Sequence, residues 1–203
     1  MKEEILKLVK LNNGIITTSQ VEKAGFLRVY LKTLVDDGLL VREKQGVYAD
    51  PGIINDKFYI FQVKHPNAIF SYETALYLQG IDSDKTEMID VTVYTGYNTH
   101  RFPKNIRSHY IKKELLDYDV IEVKTEYGNV VKCYNAARAI CDIVKTEYKD
   151  DEYENVTKAL NNYFRSDLYN EKSLISCANK LNCYKKLNYT IGVNYLANKF
   201  TIN

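Results

Sequence analysis

The stretch Gly25–Ala49, GFLRVYLKTLVDDGLLVREKQGVYA, decides how the rest of the chain is read. It describes a short helix, a glycine turn and two strands joined by a charged tip. On a helical wheel at about 100° per residue, Leu27, Leu31, Leu34 and Val35 fall on one side. Arg28, Val29, Lys32, Thr33 and Asp36 fall on the other, with Tyr30 at the flank. Asp37-Gly38 ends the helix, because glycine takes up the left-handed conformation that a helix C-terminus commonly requires. Leu39-Leu40-Val41 then runs into Arg42-Glu43-Lys44-Gln45-Gly46 and returns through Val47-Tyr48. A hairpin with a basic, glycine-bearing tip beside an amphipathic helix is the form of a DNA-binding wing.

The preceding residues strengthen that reading. Ile5, Leu6, Leu8 and Val9 make a first amphipathic helix, which breaks at Asn12-Asn13-Gly14. Ile15-Ile16 is a short extended piece, and Thr17-Thr18 lead into Ser19-Gln20-Val21-Glu22, which has the form of a capping box. The second helix is very short and stops at Ala24-Gly25. Helix, strand, short helix, turn, helix and hairpin is the order of a winged helix-turn-helix, in which the helix after the turn enters the major groove.

Working outward, Asp50-Pro51-Gly52 punctuates the end of this first domain. Asn55 to Lys64 reads as a connecting helix stopped by His65-Pro66. Ser71 caps a further helix through Leu78, closed by Gly80. Met88 to Thr95 alternates Ile89, Val91 and Val93 as a strand does, and Ile106 to Ile111, Val120 to Thr125 and Val130 to Tyr134 are shorter strand candidates. From Asn135 the period turns helical, with Ala137, Ile140, Cys141 and Val144 as a buried stripe, and three more helices fall around 151–165, 170–182 and 189–200. The expected class is α+β: a winged helix-turn-helix over 1–50, a connecting helix and linker over 51–66, and a mixed domain over 67–203 with a small, mostly antiparallel sheet and C-terminal helices.

Composition narrows the function. At 203 residues, with 45% hydrophobic content and net charge +2, the chain can fill the cores of two small domains and is not a polybasic coat, so any nucleic-acid contact comes from local patches. No apolar run reaches membrane-spanning length and the start, Met1-Lys2-Glu3-Glu4, is not a signal peptide, which together give the expectation of a cytoplasmic protein with no membrane partner. Cys133, Cys141, Cys177 and Cys183 form no CxxC pair and read as reduced packing residues. The 18 tyrosines, against no tryptophan, fit a biased genome as well as a binding surface.

Charge is uneven. Between Asp90 and Glu114 there is no acid, while Arg101, Lys104, Arg107, Lys112 and Lys113 stand there with His100 and His109. Glu114 to Glu154 is acidic, and the chain from Asn155 on is basic. A solvated face is the ordinary meaning of such a run, and a surface for phosphates or an acidic partner is the alternative.

Signs of catalysis are few. GxGxxG, P-loop, HExxH and GxSxG are all absent, the three histidines lack metal-ligand spacing, and no cofactor or metal is expected. Asp90 on one strand, with Glu122 and Lys124 on another, imitates the Asp…Glu-x-Lys layout of metal-dependent nucleases, where two carboxylates hold the ion beside the attacked phosphate. Alternation puts any Glu-x-Lys pair on one solvated face, so the pattern arises easily by chance.

Gly25-Phe26, Leu34-Val35-Asp36-Asp37-Gly38-Leu39-Leu40 and Gly46-Val47-Tyr48 resemble the N-terminal winged helix of AbiEi-family antitoxins. Ser71-Tyr72-Glu73-Thr74-Ala75-Leu76, Gly80-Ile81, Ile89-Asp90-Val91-Thr92-Val93 and Ala136-Ala137-Arg138-Ala139-Ile140-Cys141-Asp142 are similar to that family's second domain, so the likeness reaches to about Val144. The resemblance implies a non-enzymatic antitoxin of a type IV toxin–antitoxin pair linked to phage abortive infection. Its winged helix would repress its own operon, and its second domain would counter a nucleotidyltransferase toxin without a stable complex. Where many members carry an arginine-rich run in the reading helix, this sequence has Arg28 and Lys32. On that reading Thr17, Thr18, Ser19 and Lys44 reach phosphates, Arg28, Lys32 and Thr33 face base edges with Tyr30 beside them, and Arg42 lies at the wing. The partner is duplex operator DNA with inverted repeats. The rival readings are a winged-helix module that binds protein instead of DNA, and the nuclease.

Overall fold

The computed structural model describes residues 1–52, 56–83, 87–146 and 153–200. They form two compact units, one of Met1–Pro66 with Lys124–Val131, the other of Asn67–Val123 with the chain from Lys132 onward.

The first unit runs α1 (Lys2–Leu11), β1 (Ile15–Thr17), α2 (Thr18–Lys23), α3 (Val29–Asp36), β2 (Val41–Lys44), β3 (Val47–Ala49) and α4 (Lys57–Lys64). This is a winged helix-turn-helix. Its strands make an antiparallel sheet in the order β1-β3-β2, in which Ile16 pairs with Tyr48 and Arg42 with Tyr48 from the other side. The core gathers Ile5 and Val9 of α1, Ile16, Val21, Leu31 and Leu34 of α3, and Leu40. A second cluster, Ile15, Val47, Ala49 and Ile60, packs α4 against the sheet. Gly38, at φ +72°, closes α3 and lets the Leu39 and Leu40 amides donate back to Leu34 O.

Two local expectations shift by a residue or two. The capping box forms at Thr17 and Gln20 instead of at Ser19 and Glu22. Thr17 Oγ1 accepts from the Gln20 amide at 3.2 Å, and Gln20 Oε1 accepts from the Thr17 amide at 2.8 Å. Thr17 is the last extended residue, so its side chain, and not Ser19's, stands over the first free amides of α2. Leu27 precedes α3, whose N-cap is Arg28, and is 67% exposed instead of joining the core.

The N-terminus of α4 is built on Asp56, a fully buried carboxylate. Oδ1 accepts from the Phe58 and Tyr59 amides at 3.1 Å each, and Oδ2 accepts from Thr125 Oγ1 and, at 3.1 Å, from Asn129 Nδ2. Thr125 and Asn129 flank a hairpin turn, so one carboxylate joins the helix start to that turn. Asn55, expected in the connecting helix, lies outside the described residues.

The rest of the chain forms β4 (Ile69–Phe70), α5 (Tyr72–Leu78), β5 (Ile89–Tyr94), β6 (Ile106–Ile111), β7 (Val120–Lys124), β8 (Val130–Tyr134), α6 (Ala136–Lys145), α7 (Tyr153–Arg165), α8 (Glu171–Lys180) and α9 (Tyr184–Phe200), all in the second unit except the facing ends of β7 and β8 at Lys124 and Val130–Val131. The α+β class stands. The four long strands fall where alternation places them, and β4 is an addition too short to show a period. The sheet order is β6-β5-β4-β8-β7. β4 and β5 are antiparallel, whereas β5–β6 and β4–β8 run parallel, so the strand directions of this sheet are mixed. The loop Thr95–Asn105 explains the parallel pair: it can span roughly 35 Å, more than the roughly 20 Å length of β5, and so returns the chain to the starting end. Of the helix expected around 151–165, residues 151–152 lie outside the described residues.

Helix α6 is buried along nearly its whole length and packs on α5, α7, α8 and α9. Its Arg138 is fully buried: Nε donates to Asp142 Oδ2 at 2.9 Å, Nη1 to Leu115 O and Tyr118 O, and the guanidinium lies 4.2 Å from the Tyr134 ring centroid. All four cysteines are buried free thiols.

Replacing Asp56 by Ala leaves two helix amides and two side-chain donors without their acceptor. Hydrogen bonds to a charged group each contribute about 1.5–3 kcal/mol, so Asp56→Ala is expected to lower unfolding stability by several kcal/mol in denaturant titration, and Thr17→Ala by about 1 kcal/mol.

Candidate nucleic-acid interface

Burial of Leu31 and Leu34 turns the opposite face of α3 to solvent. Arg28 at the N-cap and Lys32 one turn on are both exposed, and Val29 is 57% exposed between them. Thr33 is half-buried, and its Oγ1 donates to Val29 O at 3.3 Å, so the hydroxyl is already engaged with its own helix. Tyr30 packs at the edge of the core cluster and is only partly exposed. Asp36 ends the same face as an exposed acid, while Asp37 is held by Lys2 at 2.7 Å.

The wing presents Arg42 and Lys44, both exposed, with a register shift between them. Gly46, at φ +77°, turns the tip, and its carbonyl accepts the Thr18 amide at 3.0 Å. That bond brings the start of α2 to the wing, so half-buried Thr18 and exposed Ser19 stand near Lys44. Thr17 is different. It is buried and its hydroxyl is committed to the cap, which withdraws it from the phosphate contacts expected of it. Arg28, Lys32, Arg42 and Lys44 have no carboxylate partner among the described residues. Nearby, burial first and then the charges of Lys64 and Lys44 lower the His65 pKa from 6.5 to about 4.

The basic window of the second unit divides in two. Arg101, Lys104, Lys112 and Lys113 are exposed, with Lys113 Nζ 5.8 Å from the Tyr94 ring centroid. Arg107 is also exposed, its side chain at 50%, but it reaches into a knot around a buried carboxylate. The parallel register sets Asp90 opposite Arg107 and Thr92 opposite His109, on one face of the sheet beneath α5. Asp90, 1% exposed, accepts from Arg107 Nε at 2.5 Å and Nη2 at 3.0 Å, and Oδ1 lies 2.7 Å from His109 Nε2. The His109 ring stacks on Tyr72 with centroids 3.7 Å apart, and the Asp90 amide donates to Thr74 Oγ1 at 2.8 Å. Burial, then repulsion from Asp90, raises the Glu73 pKa, and burial raises that of Tyr72 to about 12. Composition marked the cations of this window but gave no sign of the pairing across strands.

The same geometry removes the Asp90–Glu122–Lys124 nuclease arrangement. Both Asp90 oxygens are occupied, and β5 is separated from β7 by β4 and β8, which puts Asp90 and exposed Glu122 roughly 14 Å apart. Two carboxylates at that distance do not share an ion.

With the winged helix and its exposed cations in place, its sequence can be compared with known families. Residues 3–49 match the family model described as transcriptional regulator, AbiEi antitoxin. The matched segment coincides with the winged helix through β3, and supports a DNA-binding regulatory role. A search of the curated proteins finds no match. Among solved structures, the RV2827C protein from Mycobacterium tuberculosis is similar with a TM-score of 0.54 at 12% identity, over 94% of this chain and 75% of that one. At that identity the likeness is one of fold, and it extends through both units. Among the described residues, no helix is long and apolar enough to cross a membrane.

The His65 shift gives a pH dependence of known sign. Between pH 6.5 and about 4 the unfolded chain takes up a proton that the folded chain refuses. Stability contributed by neutral His65 is therefore complete above pH 6.5 and lost as the pH falls toward 4. Urea titrations across that range should show the loss, and His65→Phe should flatten it.

Proposed function

We propose that this protein is an antitoxin-type repressor: its winged helix binds the operator of its own toxin–antitoxin operon, and its second domain opposes a nucleotidyltransferase toxin encoded beside it. The observation that carries the DNA part is the set of four exposed cations, Arg28, Lys32, Arg42 and Lys44, without carboxylate partners among the described residues, on the scaffold that matches the AbiEi regulators. The toxin part rests on the sequence likeness of the second domain to AbiEi antitoxins of type IV, abortive-infection systems. On this reading residues 1–50 bind DNA, 51–66 connect, and 67–203 act against the toxin without a stable complex, in the cytoplasm and without catalysis.

Binding begins with backbone capture by Thr18, Ser19 and Lys44, which fixes register without reading sequence. Arg28, at the N-terminal end of α3, reaches base edges, with guanine its best match through two parallel donors. Lys32 lies one turn further along, and Arg42 contacts backbone from the wing. Because four cations on one copy give modest affinity, a tight operator contains two half-sites occupied together. The exposed apolar residues Leu27, Leu39 and Val41 favour the second reading, a module that binds protein through the same face.

Titration of wild type, Arg28→Ala, Lys32→Ala and Arg42→Ala against the protein's own promoter and a scrambled duplex separates these readings. Arg28→Ala should cost ~1–3 kcal/mol on the promoter alone, whereas Arg42→Ala should weaken both DNAs equally and reduce the salt slope by about one. Equal losses on both DNAs for Arg28→Ala would remove that residue from base reading. Undiminished binding by all three variants would reject the DNA function.

In the second domain, Arg101→Glu with Lys104→Glu should abolish toxin neutralisation in co-expression while promoter binding persists. Arg107 is left out because it holds Asp90. Survival of neutralisation would reduce the exposed cations to a solvated face.

A further inference from the structure

The outward face of α3 carries methyl groups beside its cations. Val29, Lys32, Thr33 and Asp36 follow one another at helical spacing on the side opposite Leu31 and Leu34, with Val29 near its middle and Thr33, four residues on, at its edge beside it. Val29 is 57% exposed and Leu27, just before the helix, 67% exposed; neither belongs to the core cluster or to the partly buried residues packed on it. The fold therefore gains little from either. Val29 is β-branched and holds essentially one rotamer on a helix, so its methyls are fixed before any partner arrives. Thr33 donates its hydroxyl to Val29 O, which leaves its γ-methyl as the group available for contact.

Isolated exposed apolar residues are ordinary. Here Leu27 precedes Arg28, and Val29 stands between Arg28 and Lys32 in the chain, on the helix that a winged-helix motif inserts in the major groove. In that groove the four bases offer donors and acceptors, and thymine alone adds a methyl, at C5. Asp36 closes the far end of the face with a negative charge, which disfavours phosphate there and confines contact to the first part of the helix.

We propose that Val29, with the Thr33 methyl beside it, reads thymine C5-methyl groups next to the base pair that Arg28 contacts. The proposal rests on the DNA-binding function above and adds a base preference to it: sequence is read mainly by apolar contact, with Arg28 as the single two-pronged hydrogen-bonding group. This also accounts for a reading helix that carries only two cations.

The test uses the full-length protein and its own promoter duplex, synthesised once with thymidine and once with deoxyuridine, which keeps charge and pairing and removes only the C5 methyls. Wild type should bind the uracil duplex more weakly, by about fourfold for each methyl buried. Val29→Ala should weaken binding to the thymine duplex and lose most of the discrimination between the two duplexes, and Thr33→Ser, which keeps the hydroxyl bond, should lose the remaining part. Val29 is exposed and outside the core, so the variant's melting temperature should equal that of wild type and any loss is read at the interface. Equal wild-type affinity for both duplexes, or full discrimination by Val29→Ala, would overturn methyl reading. If Arg28→Ala still weakened promoter binding in either case, DNA binding would stand without it. Binding to neither duplex at low salt would overturn both, and with them the assignment of this face to DNA.

Discussion

Burial of Leu31 and Leu34 against Ile5, Val9, Ile16, Val21 and Leu40 is the constraint on which the winged helix depends. A fully buried leucine contributes roughly 1.5–3 kcal/mol, so the rotation of α3 about its axis is fixed by the two residues with most to lose. Arg28, Val29 and Lys32 face outward as a consequence and not through contacts of their own. The wing is held to the same frame by the Thr18–Gly46 hydrogen bond and by Val47 and Ala49 packing with Ile15 and Ile60. The wing and α3 thus share one support, which on the proposed DNA-binding function is what phosphate contacts need in order to set the register of a base-reading helix.

The second unit uses polar burial differently. Asp90 and Arg138 are charges removed from water, and each is retained only because it is surrounded. Asp90 has Arg107, His109 and the Thr74 hydroxyl over its amide; Arg138 has Asp142, two carbonyls and the Tyr134 ring. Such groups add little net stability, but removing one partner strands the other at considerable cost. They make the position of α5 on the sheet, and of α6 beside Tyr134, specific. Asp90 in the Ile89–Val93 strand and Arg138 in α6 thereby hold the fold together.

The two similarities work at different depths. The AbiEi match covers residues 3–49, where chain order, glycine turns and core leucines are all constrained by the winged helix. The likeness to the RV2827C protein spans both units at 12% identity, a level at which burial patterns persist while exposed side chains drift. Fold is therefore shared over more of the chain than any particular surface residue.

Sequence alone determined the order of elements in the winged helix, the main strands of the second domain and the buried stripe of α6, because hydrophobic period and glycine punctuation are local signals. It also gave Arg28, Lys32, Arg42 and Lys44 as candidate contacts, since an exposed face is the complement of a buried one. Which threonine caps α2, whether Leu27 enters the core and which strands run parallel were decided by tertiary structure. So were the pairing of half-exposed Arg107 with buried Asp90 and the roughly 14 Å between Asp90 and Glu122. Each of those depends on the register of segments far apart in the chain, and a single cation in a sequence carries no mark of the carboxylate that folding will set against it.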